Sequence, residues 1–196
     1  TVSNTAPAGS FTELLNAAFG ANTGSALNNG GNVSVVGGSS AGGSMAVGVN
    51  TDSAGAKSGT VVLNYTSDGS GTSGLGLTNL GSQVVNVSGN VYQLAAGQLN
   101  TPALNFGTVQ VGQSVSQVLS ITNSATGAAG FVEDLNARFG AASGTGSNLI
   151  SGSGSIANLL AGATNTSAMT VNVNTAGAGA VNGAIAVNYF SAGAVN

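Results

Sequence analysis

Hydrophobic residues alternate with small or polar ones along much of this chain. Val47 and Val49 follow the pattern, as do Val61, Leu63 and Tyr65, and it returns in Val171, Val173, Ile185, Val187 and Tyr189. A period of two puts these side chains on one face of a strand, which predicts half-buried β-strands. The link at residues 50–59 carries glycine and serine, so an antiparallel connection is expected there, its core face fixed by the alternation. Residues 67–81 read as a polar Gly/Ser loop, and Val85, Val87 and Val91 lead to Tyr92 as a closing strand. Further on, Leu104 to Phe106, Val109 to Val111 and a strand over residues 114–123 open a second domain. Phe131, Leu135 and Phe139 fit both a helical stripe and one face of a strand, because a spacing of four is in phase with each. With β patterns on both flanks, the segment reads as a strand or extended corner, a short helical turn being the alternative.

The chain also repeats itself. Residues 44–65 and 168–189 lie 124 positions apart and are identical at 11 of 22 positions, including Met45/Met169, Gly59/Gly183 and Tyr65/Tyr189. Residues 11–21 and 131–141 match at 8 of 11 positions, 120 apart. Solenoid repeats run about 20 to 50 residues, so so long a period means tandem domains. The expected organisation is residues 1–95, a linker at 96–101, and residues 102–196. The four-residue change of period falls between 22–43 and 142–167, Gly/Ser/Asn-rich segments read as surface loops. Many short strands and close turn signals give an all-β reading, tandem β-sandwiches.

Composition narrows the function. Charged residues make up 4% of the chain, against about 25% in ordinary domains, while hydrophobic residues reach 42%. That hydrophobic content favours order over disorder. Two cations, Lys57 and Arg138, make neither a nucleic-acid patch nor an anchor for an anionic membrane surface. Cysteine is absent, so packing and strand pairing must stabilise the fold. No window is long and apolar enough for a membrane-spanning helix.

The run LNFGTVQVGQSVSQVLSITNSA at 104–125, AGAVNGAIAVNY near the end of the chain, and AGAKSGTVVLNYTSDG with LGSQVVNVSGNVY in the other copy carry a family resemblance. They resemble the immunoglobulin-like repeats of bacterial choice-of-anchor D surface proteins, related to the ASPM, SPD-2 and Hydin class. The resemblance covers nearly the whole chain and implies an extracellular or cell-surface array of immunoglobulin-like modules. It implies no catalytic residue and names no ligand.

Candidate chemistry is sparse. Histidine is absent as well as cysteine, and the acids are Glu13, Asp52, Asp68, Glu133 and Asp134. Glu13 and Glu133 are equivalent across the copies and read as outward or corner-capping carboxylates; Asp52 becomes Ala176. Glu133 and Asp134 are too few oxygens for a calcium site, and hydroxyls without a general base are poor nucleophiles. Arg138 is expected to pair locally with Asp134. Lys57 is replaced by Val181 in the second copy, which argues against a repeated Lys–Asn isopeptide crosslink. Triplets beginning at Asn32, Asn64, Asn86 and Asn165 match the N-glycosylation sequon, which Asn/Ser-rich chains generate by chance. Phe11, Phe19, Tyr65, Phe106, Phe131, Phe139 and Tyr189 are assigned to core packing, with Tyr92 and Phe190 less constrained. No catalytic, cofactor-binding or metal residue is assigned, no cofactor is expected, and the chain reads as a non-enzyme.

Aligned on each other, the first copy lacks an equivalent of residues 102–119 and the second lacks one of 73–92. A sandwich missing a strand has an open edge and an uncovered core face. Either flanking repeats of a longer array or other subunits, through strand addition, complete each domain. The expected function is therefore structural: a subunit or repeat segment of an extracellular filament, sheath or long adhesin, with copies of itself as partners. A carbohydrate- or surface-binding adhesin module, contacting its ligand through the loops at 22–43 and 142–167, is the alternative.

Overall fold

The computed structural model describes residues 1–41 and 45–193, and the chain divides into two compact units, Thr1–Val91 and Tyr92–Asn196. Unit 1 contains β1 (Val2–Asn4), β2 (Leu14–Gly24), β3 (Ala26–Asn28), β4 (Asn32–Val35), β5 (Ser39–Ala41), β6 (Val47–Val49), β7 (Gly55–Asp68) and β8 (Leu77–Val91). Unit 2 contains β9 (Gly97–Leu99), β10 (Val115–Val118), β11 (Ile121–Asn123), β12 (Leu135–Ser143), β13 (Ile150–Ser153), β14 (Ser155–Leu159), β15 (Thr164–Asn165), β16 (Thr170–Val173) and β17 (Ala184–Ser191). A single 3-10 turn, Ser147–Leu149, is the one helical element among the described residues, so the fold is all-β.

The units share one scaffold. Sheet β4-β2-β7 of unit 1 corresponds to β14-β12-β17 of unit 2, β3-β6 to β13-β16, and β1-β5 to β11-β15. Register agrees in detail: Ala17 faces Tyr65 as Ala137 faces Tyr189, and the bulge between Phe19 and Asn22 recurs between Phe139 and Ala142. Gly59, repeated as Gly183, is required where the chain crosses beneath the start of β3. A Cβ there would lie 2.2 Å from the Thr23 carbonyl oxygen, and one on Gly183 would lie 2.7 Å from that of Ser143.

What differs is what has been added to the scaffold. Unit 1 alone carries β8, which lies along β7 at the sheet edge; unit 2 alone carries β9 along β11 and β10 along β16. Burial follows these additions. In unit 2, Ile121, Met169 and Val171 are buried beneath a cluster that includes Leu99, Leu104 and Phe106. Their equivalents in unit 1 lack that cover: Val2 and Met45 are only half-buried, and Val47 is 38% exposed against 3% for Val171. The opposite holds beside β8, where Val61 and Leu63 are buried while their unit 2 equivalents Ile185 and Val187 are half-buried.

Several expectations need correction. Residues 96–101 are not a linker: β9 lies inside them, pairs with β11 through Leu99 and Ile121, and belongs to unit 2. The strands flanking residues 50–59 do not form a hairpin. β6 pairs with β3 and β7 with β2 and β8, so the link crosses from one sheet to another. Alternation fixes which face a strand buries, not which neighbour bonds its edge. Residues 114–123 form two strands, β10 and β11, in different sheets, and the loop expected at 67–81 is confined to 69–76, with the ends of β7 and β8 on either side. The segments read as loops, 22–43 and 142–167, hold β3, β4 and β5 and β13, β14 and β15; Gly42 and Gly43 lie outside the described residues. Val33, Val35 and Ile156 in those segments are buried. Phe11 is 99% exposed rather than in the core, whereas its equivalent Phe131 packs on Tyr92 at a ring separation of 5.4 Å.

Candidate assembly surfaces

The ionisable residues are held in local structural contacts. Glu13 accepts hydrogen bonds from the hydroxyls of Ser67 (2.6 Å) and Ser73 (2.5 Å), and these hold its carboxyl below the usual range. The equivalent Glu133 accepts from Ser191 at 2.5 Å, and Ser191 in turn accepts the Ala95 N–H. These carboxylates tie the end of β7 or β17 to the corner that precedes β2 or β12. Asp68 accepts from the Ser70 hydroxyl and N–H, which likewise depress its pKa. Asp134 is fully buried, and Arg138 extends over the Phe190 ring, 4.4 Å from its centroid. Lys57 donates to Ser53, and the Asp52 N–H donates to Asn50 within a tight turn. Among the described residues no three acidic side chains converge as a metal site would need. Of the sequon asparagines, Asn165 uses its side-chain oxygen to accept the N–H groups of Ser167 and Ala168.

A buried asparagine, which the sequence reading passed over, organises each unit. Asn4 donates from its side-chain amide to the carbonyl oxygens of Glu13 (3.2 Å) and Val35 (3.1 Å), and its oxygen accepts the Ala6 N–H. Asn123 does the same with Glu133, Leu159 and Ala125, and its oxygen accepts a further N–H, from Ala96, just before β9. The shared pattern V-S-N-T-A and I-T-N-S-A was the available signal.

Two strand edges stand out by length, β8 with 15 residues and β17 with 8. β8 and β17 are both terminal in their sheets. Neither contains a charged residue or proline, the usual devices that discourage edge pairing. The first half of β8 is exposed throughout, with Leu77 at 68% and Leu80 and Val84 also exposed. Beside β17, unit 2 holds a cavity of about 890 Å³ lined by Leu104, Phe106, Val173, Ile185 and Val187 among others. Its β17 wall corresponds to the stretch of β7 that β8 pairs with in unit 1. The Tyr65 hydroxyl donates to Gln83 of β8 at 3.0 Å, whereas the equivalent Tyr189 hydroxyl is buried with no hydrogen-bond partner among the described residues, and burial raises its pKa.

Comparison of the chain with models of protein families, with curated proteins and with solved structures finds no match in any of the three.

Proposed function

We propose that this chain is a structural protein of the bacterial cell surface or extracellular space, a subunit or repeat segment of a filament, sheath or long adhesin. Its two units are read as immunoglobulin-like β-sandwiches, completed by neighbouring copies. One observation carries the reading: the same scaffold occurs twice, and core positions less buried in one occurrence have equivalents that are buried beside the added segments of the other. Val47 is 38% exposed where Val171 is buried, and Ile185 is half-buried where Val61 is buried. Buried apolar area contributes about 25 cal/mol per Å², so such open core faces favour association. Low charge supports the same reading, since little repulsion opposes the approach of like chains.

The adhesin alternative is less well supported, because the segments it relied on are largely strands with buried side chains. Antibody labelling of intact source cells, with and without protease shaving, tests the structural reading. Continuous labelling of surface fibres or a sheath, lost on shaving, is the expected result. Label confined to the cell interior would contradict it.

A further inference from the structure

We propose that β8 of one copy pairs edge to edge with β17 of a second copy, joining the four-stranded sheet of unit 1 to the three-stranded sheet of unit 2. The inference rests on the structural reading above and specifies the contact by which copies join.

Backbone direction identifies the groups involved. The Ser58 carbonyl accepts from Ser25 and the Thr60 N–H donates to Thr23, so even-numbered residues of β7 face β2 and odd-numbered ones face β8. Val85 and Val87 sit opposite Val61 and Gly59 and point their backbone groups back at β7. Val84, Asn86 and Ser88 sit opposite the even-numbered residues, so their N–H and C=O groups point outward from the sheet. All three side chains are exposed. In unit 2 the Asn182 carbonyl accepts from Gly146, and the Ala192 N–H donates to the Asp134 carbonyl, both toward the β12 side. The backbone groups of Ile185, Val187 and Tyr189 therefore point to the open edge of β17.

A second copy is the occupant that fits. The edge of β7, built from the same residue pattern as β17, carries an added strand in unit 1, where β8 meets it through Val85 and Val87, so an edge of this pattern accepts a further antiparallel strand. Among the described residues no strand pairs with the outer edge of β8, and no charge on either strand opposes the approach. Donor and acceptor are different surfaces of the same chain. Such a heterologous contact leaves one of each free at the ends of every dimer, and it propagates into a filament or closes into a ring.

The test compares the full chain with Asn86→Pro and Ser88→Pro, which remove an outward N–H at exposed sites without touching the pairing with β7. Sedimentation velocity and hydrogen exchange are measured across a concentration series. The wild type should sediment progressively faster with concentration, and the amides of Ile185, Val187 and Tyr189 should exchange at least tenfold more slowly in the assembled fraction. Both proline variants should stay monomeric, with unchanged circular dichroism and fast exchange at those three amides. Ser88→Lys gives the same readout should a proline variant fail to fold. Assembly that survives these changes, or assembly without protection of the β17 amides, would overturn this contact while leaving the structural function standing. A wild type that never assembles would overturn both.

Discussion

The side-chain amide of Asn123 donates to the carbonyl oxygen of Glu133 at 3.1 Å, and Asn4 makes the same bond to Glu13 at 3.2 Å. Each asparagine thereby fixes the corner from which β12 or β2 departs. Asn123→Ala would leave the carbonyls of Glu133 and Leu159 and the N–H groups of Ala96 and Ala125 without their partner. A buried group left unsatisfied costs about 1–3 kcal/mol. Calorimetry should show unit 2 weakened by about 3 kcal/mol. Asn4→Ala should weaken unit 1 less, because Asn4 lacks the bond that Ala96 gives Asn123.

Glycine packs against aromatic rings at two places in unit 2. A Cβ on Gly97 would lie 2.3 Å from the Tyr189 ring, and one on Gly152 would lie 2.3 Å from that of Phe139. Overpacking of this kind costs about 1–3 kcal/mol. Gly152→Ala should lower the melting temperature, and adding Phe139→Leu should recover part of the loss.

Acid should loosen the corner that Glu13 holds. Its folded pKa is depressed by Ser67 and Ser73, and that of Asp68 by Ser70. A depressed carboxyl stabilises the fold above its unfolded pKa, and the contribution is lost as pH falls through the lower folded value. Protection factors at residues 67–73, taken relative to the intrinsic exchange rate at each pH, should therefore decrease at pH below the ordinary carboxylate range. Glu13→Gln should flatten that pH dependence; an unchanged profile would show that the carboxylate does not hold the loop.

Much of this was legible in residue pattern. The repeated stretch containing Val171, Ile185 and Tyr189 marks inward-facing strand positions because side-chain period and burial go together. Pairing partners were not legible, since hydrogen bonds run between backbones that all residues share. That is why β6 and β7, alike in pattern and adjacent in the chain, fall in different sheets. Short strands hid for a related reason: Asn32–Val35 has alternating burial, but glycine and asparagine around it resemble a loop. The repeated pattern around Asn4 and Asn123 did not reveal their role, because asparagine usually signals a turn, and burial reverses its meaning only where carbonyls converge. The exposure of Phe11 was missed because its equivalent Phe131 is covered by Tyr92, and no described residue covers Phe11 in that way.

Assembly of the purified chain is the central claim, and negative-stain electron microscopy across a concentration series tests it most directly. Elongated particles or rings with a repeat of one chain, growing in number and length with concentration, are the expected result. Uniform, compact monomers at every concentration would contradict the account.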